Sequence, residues 1–230
     1  MKGLVWLLAL VLALSSCAEF SDTEMAGTKE VHELYQGKMT YGKNHSADGD
    51  FFWITLADTD IPLELDNTIE IAANNIGLIM YQHFTPDERA EYDWIKVVLE
   101  TKTGKLSRVV SMGLLNKIWN MEKRSRDDLN LIYKGDYDAF YAKLKTRQQQ
   151  QFTPAVFDSL LVNVFAETGT LSPPIEMGID TLGYRDTIIG TYYFVFKSDI
   201  DSTPRLMYRA SYLLTDNDSI IDFGLQSLLQ

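Results

Sequence analysis

The spacing of apolar residues predicts helices in three long segments of the chain. In residues 67–84 and 112–133, apolar side chains recur every three or four positions, as they do along one face of an amphipathic helix. A third segment begins at Thr153 and Pro154, an N-cap residue followed by proline at the first helical position. On each helix we expect one apolar stripe to pack against a sheet while the other side faces water.

The polar sides of the first two helices are therefore assigned to water. In residues 67–84 the polar side consists of Glu70, Asn74, Asn75 and Gln82. In residues 112–133 a charged run spans 122–128 and places opposite charges four positions apart, the spacing at which they pair on a helix surface. The two pairs are Glu122 with Arg126 and Lys123 with Asp127. We expect this face to be solvated rather than to bind a partner.

Alternating apolar and polar residues predict strands before and after these helices. Three short runs rich in aromatic and β-branched residues precede residue 112, namely 51–56, 94–101 and 106–110. Residues 187–197 are apolar on both sides, which is typical of a central strand covered on both faces. Residues 205–215 bury one face, and residues 216–218 (Asp-Asn-Asp) predict a hairpin turn. The buried face of the last strand is assigned to Ile221, Phe223 and Leu225.

These elements divide the chain near residue 112. Residues 31–111 are predicted to form a ββααββ unit, and residues 112–230 are predicted to form helices followed by a meander of antiparallel strands. Residues 17–30 are mostly small or polar, and they predict a flexible tether in front of the first unit. The fold class predicted for the whole chain is α+β.

Composition and charge exclude several classes of protein. The chain has 230 residues, a net charge of −11 and a pI near 4.7, so it lacks the basic character that nucleic-acid binding requires. Its single cysteine excludes a disulfide scaffold and a zinc site built from several cysteines. Because 46% of the residues are hydrophobic, we expect a folded chain with a core rather than a disordered one.

The single cysteine follows a segment that has the order of a secretory signal. Lys2 supplies a positive charge, an apolar run extends from Leu4 to Leu14, and two serines precede Cys17. The apolar run is shorter than the roughly 20 residues that a membrane-spanning helix needs. Residues 1–16 are therefore assigned to a signal peptide.

The sequence Leu14-Ser15-Ser16-Cys17 resembles the lipobox of bacterial lipoproteins. In that family the signal peptide is cut before the cysteine, the thiol receives a diacylglyceryl group, and the new amino terminus is acylated. The resemblance implies palmitate-type chains on Cys17 and a membrane as partner, in the bacterial cell envelope. Ala18 stands where Asp retains many lipoproteins in the inner membrane, so the expected location is the outer membrane, on its periplasmic face or at the cell surface.

Residues 131–138 read Leu-Ile-Tyr-Lys-Gly-Asp-Tyr-Asp, a helix end and turn, and they are followed by a Thr-Pro helix and a meander of strands. This order resembles the NTF2-like (cystatin-like) α+β superfamily over residues 112–230. The resemblance implies a curved sheet whose helices enclose a cone-shaped cavity. Because some members use that cavity for catalysis or ligands and many have no known activity, the fold alone does not define a function.

Residues capable of catalytic chemistry form no recognised motif in this chain. His32, His45 and His83 are far apart, and none has the spacing of a metal site. The sequence contains no Gly-x-Ser-x-Gly elbow, no Ser-x-x-Lys motif and no phosphate-binding loop. We therefore expect no catalytic residue, no metal and no cofactor, and the one site assigned to a residue is lipid attachment at Cys17.

The sequence leaves three functions open. The first is a non-catalytic envelope module that binds a small ligand or an envelope protein in an aromatic-lined pocket. Candidates for that lining, each of which could instead be a core residue, are Tyr137, Tyr141, Tyr192, Tyr208 and Tyr212. The second is a hydrolase or isomerase of NTF2-like type, which needs a carboxylate to converge with Arg209 or a tyrosine in one cavity. The third is an envelope assembly or glycan-adhesion component, which needs an exposed apolar patch.

Overall fold

The computed structural model describes residues 20–59, 68–101, 104–184, 187–200, 203–214 and 220–228. The predicted signal peptide, the lipobox with Cys17 and the predicted turn at residues 216–218 lie outside the described residues. The fold is a mixture of helices and two four-stranded sheets, which confirms the predicted α+β class.

The helices and strands follow one another in two groups along the chain. The helices are α1 (Asp22–Tyr35), α2 (Thr68–His83), α3 (Pro86–Glu91), α4 (Met112–Tyr133), α5 (Tyr137–Ala142), α6 (Thr146–Gln149) and α7 (Pro154–Thr168). The strands of the first sheet are β1 (Lys38–Ser46), β2 (Gly49–Ala57), β3 (Trp94–Thr101) and β4 (Gly104–Ser111). Those of the second are β5 (Ile175–Tyr184), β6 (Thr187–Lys197), β7 (Pro204–Leu213) and β8 (Ile220–Ser227).

The first sheet has the order β1-β2-β3-β4 and contains one parallel pair. β1 with β2 and β3 with β4 are antiparallel hairpins, whereas β2 and β3 run parallel because α2 and α3 connect them. The predicted ββααββ order is therefore confirmed. Thr85 caps α3 in a capping box with Glu88, and Pro86 occupies the first helical turn, as the sequence predicts.

The second sheet is an antiparallel meander in the order β5-β6-β7-β8. Its helix-facing side buries alternate residues of β6 and β7, and these are Tyr192, Phe194, Phe196, Leu206, Tyr208, Ala210 and Tyr212. The prediction for the last strand is wrong in one position, because Ile220 and not Ile221 is fully buried. A register shift between Ser211 and Tyr212 causes this, since an irregularity in strand pairing changes which side chains face the core.

Helix α2 is the centre of the molecule, and the polar side assigned to it is largely buried. It packs against α1, β3, β4, α4 and β5, so it is covered on almost every side. The Asn74 amide donates to the Ile179 carbonyl oxygen at 3.0 Å, and the Asn75 amide donates to the Tyr35 hydroxyl at 2.9 Å. The solvated face predicted here is therefore wrong at both asparagines, which instead join α2 to α1 and β5.

The predicted tether at residues 17–30 is also wrong over most of its described part, because α1 begins at Asp22. The Ser21 hydroxyl accepts a hydrogen bond from the Glu24 backbone N–H, and the Glu24 carboxylate accepts one from the Ser21 backbone N–H, which forms a capping box. The buried residues of α1 include Val31, which is completely shielded from water. Gly27 suits this helix because the α1 backbone lies close to α2 here, and a methyl group added at Gly27 would meet Met80 at 2.9 Å.

A single hydrophobic core joins the two groups of elements. The same cluster of buried side chains contains Val31 of α1, Ile54 of the first sheet, Ile76 of α2, Ile118 of α4 and Phe194 of the second sheet. The boundary predicted near residue 112 does mark the start of α4. This boundary separates the two sheets along the sequence, but both sheets pack on the same hydrophobic core.

Candidate functional site

A small polar cavity of about 130 Å³ lies where α1, α2, α4 and β5 meet. Its walls combine aliphatic side chains with charged and amide groups. The polar residues of the wall are Glu30, Asn75, Gln82, Glu122, Arg126 and Glu176. We call this site the acidic cavity, because three carboxylates and one guanidinium face it.

Arg126 joins the two most buried carboxylates of the acidic cavity. Its Nε donates to Glu122 at 2.9 Å, and its Nη2 donates to Glu176. The amide of Gln82 donates to the other oxygen of Glu122 at 2.5 Å. The two carboxylate side chains are only 10% and 9% exposed, whereas Arg126 is 49% exposed. Two acids therefore share one partly solvated cation.

This environment changes the acidity of Glu176. Burial, and then the neighbouring Glu122 carboxylate, raise the pKa of Glu176 from 4.5 to about 7, although Arg126 acts in the opposite direction. A carboxyl group with a pKa near neutral pH is suited to general acid–base catalysis. The acidic cavity can therefore hold or release a proton at pH 7.

The charged run of α4 is less solvated than its sequence predicts. The predicted Glu122–Arg126 pair is present, but Glu122, Ser125 and Asp128 are all buried. Asp128 accepts a hydrogen bond from the Tyr212 hydroxyl at 2.9 Å and pairs with Lys143 at 2.6 Å. The run turns one of its sides inward because the second sheet packs against this part of α4.

Three of the five candidate lining tyrosines are core residues of the second sheet. Tyr192, Tyr208 and Tyr212 are between 0% and 3% exposed, and burial raises the pKa of each well above 10. The Tyr192 hydroxyl donates to the Ile118 carbonyl oxygen. The Tyr208 hydroxyl is buried without a partner at hydrogen-bonding geometry among the described residues. None of the three lines the acidic cavity or the groove described next.

An apolar groove of about 380 Å³ lies between α7 and β8. Its apolar walls are formed by Phe152, Phe157, Leu160, Leu161, Val164, Phe223 and Leu225. Phe157 and Leu161 belong to the core, whereas Leu160 is 45% exposed. Val156, four positions before Leu160 and hence on the same side of α7, is 50% exposed. We call this site the α7–β8 groove.

The strand beside this groove is at the edge of its sheet. The first residue of β8, Ile220, exchanges backbone hydrogen bonds with Lys143 and Lys145, and the Gln148 amide donates to Ile221. Beyond that point β8 pairs only with β7 among the described strands. The side-chain amide oxygen (Oε1) of Gln148, in the groove wall, is buried and has no hydrogen-bond partner within the described part of the chain. The groove therefore combines an apolar floor, an open strand edge and one unused acceptor.

The other two candidate tyrosines lie near this groove without lining it. The Tyr141 hydroxyl is 2.9 Å and 2.7 Å from the carbonyl oxygens of Gln149 and Phe152, so it holds the segment that forms one wall. Tyr137 stacks on Phe165 with ring centroids 6.5 Å apart. Both tyrosines are partly buried against the core.

The remaining candidates for chemistry are dispersed. His83 pairs with Glu30 at 2.6 Å, and His45 lies 3.3 Å from Asp50, while His32 is exposed near the end of α1. Within the described residues, no three His, Cys, Asp or Glu side chains are grouped closely enough to hold a metal ion. Arg209 lies 3.4 Å from Asp222 with both side chains about half exposed, and it does not converge with the buried tyrosines.

Comparisons of this chain with protein-family models, with curated proteins and with solved structures gave no match. In the part of the chain that the structure describes, no helix is long and apolar enough to cross a membrane.

Sequence reasoning missed the acidic cavity and named only part of the groove. The sequence pattern assigns Glu122 and Arg126 to a solvated face and does not indicate Glu176. A usable signal was present, because charged residues interrupt an otherwise apolar stripe of α4 at the spacing of its buried positions. For the groove, the signal is the surplus of apolar residues in α7, where Val156, Leu160 and Val162 exceed what one buried stripe needs.

Proposed function

We propose that this protein is a lipid-anchored protein of the bacterial outer membrane whose folded part is a non-catalytic module that binds an envelope partner. The anchor is supported by the order of Lys2, the apolar run and the Leu-Ser-Ser-Cys sequence ending at Cys17. More than one acyl chain is needed because a single chain gives only marginal membrane binding.

We also propose that residues 112–230 have an NTF2-like (cystatin-like) fold. In support, helices α4 to α7 precede a four-stranded antiparallel meander, and α4 packs on the meander's aromatic face. The contact of the Tyr192 hydroxyl with the backbone of Ile118 belongs to this helix–sheet packing. In this chain the space between α4 and the sheet is occupied by tyrosine rings.

The observation that carries the binding function is the α7–β8 groove beside an open strand edge. We assign its occupant to an extended, apolar segment of a partner protein. An extended segment can add to the edge of β8 through its backbone while its alternate side chains enter the apolar groove.

Site-specific photo-crosslinking in the native host tests this proposal. A photoreactive phenylalanine analogue is placed at Leu160, which lines the groove, or at Val162, which is equally exposed at 48% on another side of α7. We expect one discrete adduct from position 160 and none from position 162, with an apolar segment as the crosslinked peptide. Equal adducts from both positions, or no adduct from position 160, would contradict the proposal. Cys17→Ala tests whether the adduct needs the anchor.

A second candidate function is acid–base catalysis in the acidic cavity, as in a pocket-based hydrolase or isomerase. The observation in its favour is the pair Glu122 and Glu176, nearly buried and bridged by Arg126. The experiment is a screen of purified protein against chromogenic esters and glycosides, repeated with Glu176→Gln. Activity lost in that variant and kept in Glu33→Gln, an exposed control on α1, would favour catalysis. Activity that is unchanged by Glu176→Gln would exclude this cavity.

A further inference from the structure

We infer that the folded domain is held directly on the bilayer surface at the amino-terminal end of α1, with the lipid surface as the partner of this end of the molecule. The inference rests on the proposed lipid attachment at Cys17. A flexible tether would let the domain move freely above the membrane. A domain held at the bilayer surface instead has a restricted orientation.

The chain is bound to the domain from Ser21 onwards. Thr23 donates to the Glu88 carboxylate at 2.8 Å, and Ser21 also bonds to Glu88 at the start of α3. Each of these contacts joins residues that are more than sixty positions apart in the sequence. The first turn of α1 is therefore attached to a second helix.

The carboxylate of Glu24 attaches this turn to the first sheet as well. Glu24 is fully buried, accepts a hydrogen bond from the Tyr92 hydroxyl at 2.6 Å and pairs with Lys43 at 2.9 Å. A buried carboxylate with these partners is costly to separate from them. The start of α1 therefore does not detach easily from the domain.

Phe20 extends the attached region by one more residue towards Cys17. Its ring lies 4.9 Å from that of Tyr41 and 6.3 Å from that of Phe52, in edge-to-face contacts. The Lys43 ammonium group lies 5.5 Å from the centre of the Phe20 ring. The packed part of the chain thus reaches position 20.

The remaining connection is too short to act as a spacer. From Cys17 to Phe20 there are three residue steps, which cover at most about 11 Å when fully extended. The headgroup layer on each side of a bilayer takes up roughly 5–8 Å of that length. A domain of about 200 residues has a radius of gyration near 16 Å, so the connection is much shorter than the domain is wide.

Charge does not explain such a contact. Asp22 and Asp87 are exposed at this end of the molecule, and Lys43 is already paired with Glu24. Acidic side chains are not attracted to an anionic lipid surface. The length of the connection, and not electrostatic attraction, must therefore hold this end at the bilayer, so a longer connection should release it.

Quenching by spin-labelled headgroups tests the inference. The acylated protein is reconstituted in phosphatidylethanolamine–phosphatidylglycerol vesicles that carry a headgroup spin label. A fluorophore is attached to Asp87→Cys, beside the bound start of α1, or to Glu167→Cys, an exposed control at the end of α7. We expect quenching at position 87 to be at least about twofold stronger than at position 167.

The second variant has a longer segment between Cys17 and the folded domain. Twelve Gly and Ser residues inserted between Ala18 and Glu19 add about 19 Å of mean reach. We expect quenching at position 87 to fall to the level of position 167, while the protein still floats with the vesicles. Equal quenching at the two positions without the insertion, or unchanged quenching with it, would overturn the inference alone. Protein that does not float with vesicles, or that lacks acyl mass on its amino-terminal peptide, would overturn the anchor and the inference together.

Discussion

Glu176 is a carboxyl group whose surroundings oppose its ionisation. It lies on β5 just before a register shift in the pairing of β5 with β6, which is where a strand can turn a side chain out of its regular alternation. Burial and Glu122 raise its pKa to about 7, so the folded protein keeps a proton that the unfolded chain loses near pH 4.5.

Glu176→Gln should therefore make stability less dependent on pH. Below pH 4.5 the carboxyl group is protonated in both states and adds no penalty. Between pH 4.5 and about 7 the unfolded chain releases the proton first, so the wild-type protein loses stability as pH rises, by up to about 3 kcal/mol. Urea unfolding at several pH values measures this slope. The exposed Glu33→Gln should keep the wild-type slope, and a variant at position 176 that also keeps it would contradict the assignment.

Residue-scale errors of sequence reasoning share one physical cause. Asn74, Asn75 and Asp128 are polar, and polarity normally indicates water. Each is buried because a partner distant in the sequence satisfies it, such as the Ile179 carbonyl for Asn74 and the Tyr212 hydroxyl for Asp128. A periodic pattern records the type of side chain and not the presence of that partner.

At the scale of elements, the most extensive contact between the two halves is the one between α2 and β5. Gly178 of β5 has a φ of +134°, and a methyl group at this position would meet Ile71 at 2.8 Å. Only glycine combines this backbone conformation with so little space. The residue therefore allows β5 to lie directly on α2.

Gly178→Ala should destabilise the protein by at least about 2 kcal/mol, because it adds backbone strain and a clash with Ile71. Gly113→Ala is the matched control, since Gly113 lies in the first turn of α4 with no atom within 4 Å of an added methyl group. There alanine should be neutral or stabilising by up to about 1 kcal/mol. Thermal and urea unfolding of both variants measure the difference. Equal effects at the two positions would show that the α2–β5 approach tolerates a side chain.

At the scale of the whole molecule, the shared core predicts one cooperative unit. Hydrogen exchange should give the same opening free energy for the slowest amides of β2 and of β6, although these strands belong to different sheets. The reason is that α2 and α4 lose their packing when either sheet opens. Mass spectrometry of peptides from the two strands makes the measurement. A reproducibly lower value for one sheet would mean that it opens as an independent domain.

The placement of sites also belongs to this scale. The first sheet carries the attached start of α1, whereas the α7–β8 groove lies at β8, the strand of the second sheet farthest from β5. The proposed anchor and the proposed partner site are thus on different sheets that share one core. A restricted orientation at the bilayer would then restrict the direction in which the groove can meet a partner.

The sequence by itself determined the type, order and main faces of most elements. Their signals are local, as in the capping box of Thr85 and Glu88 or the alternation in β6 and β7, so a few neighbouring residues contain them. Only the tertiary structure decided that α2 is buried almost all round, that α1 is attached and not a tether, and that Glu122, Arg126 and Glu176 meet. Those outcomes depend on contacts between residues tens of positions apart, and the local pattern of hydrophobic and polar residues does not contain such pairings.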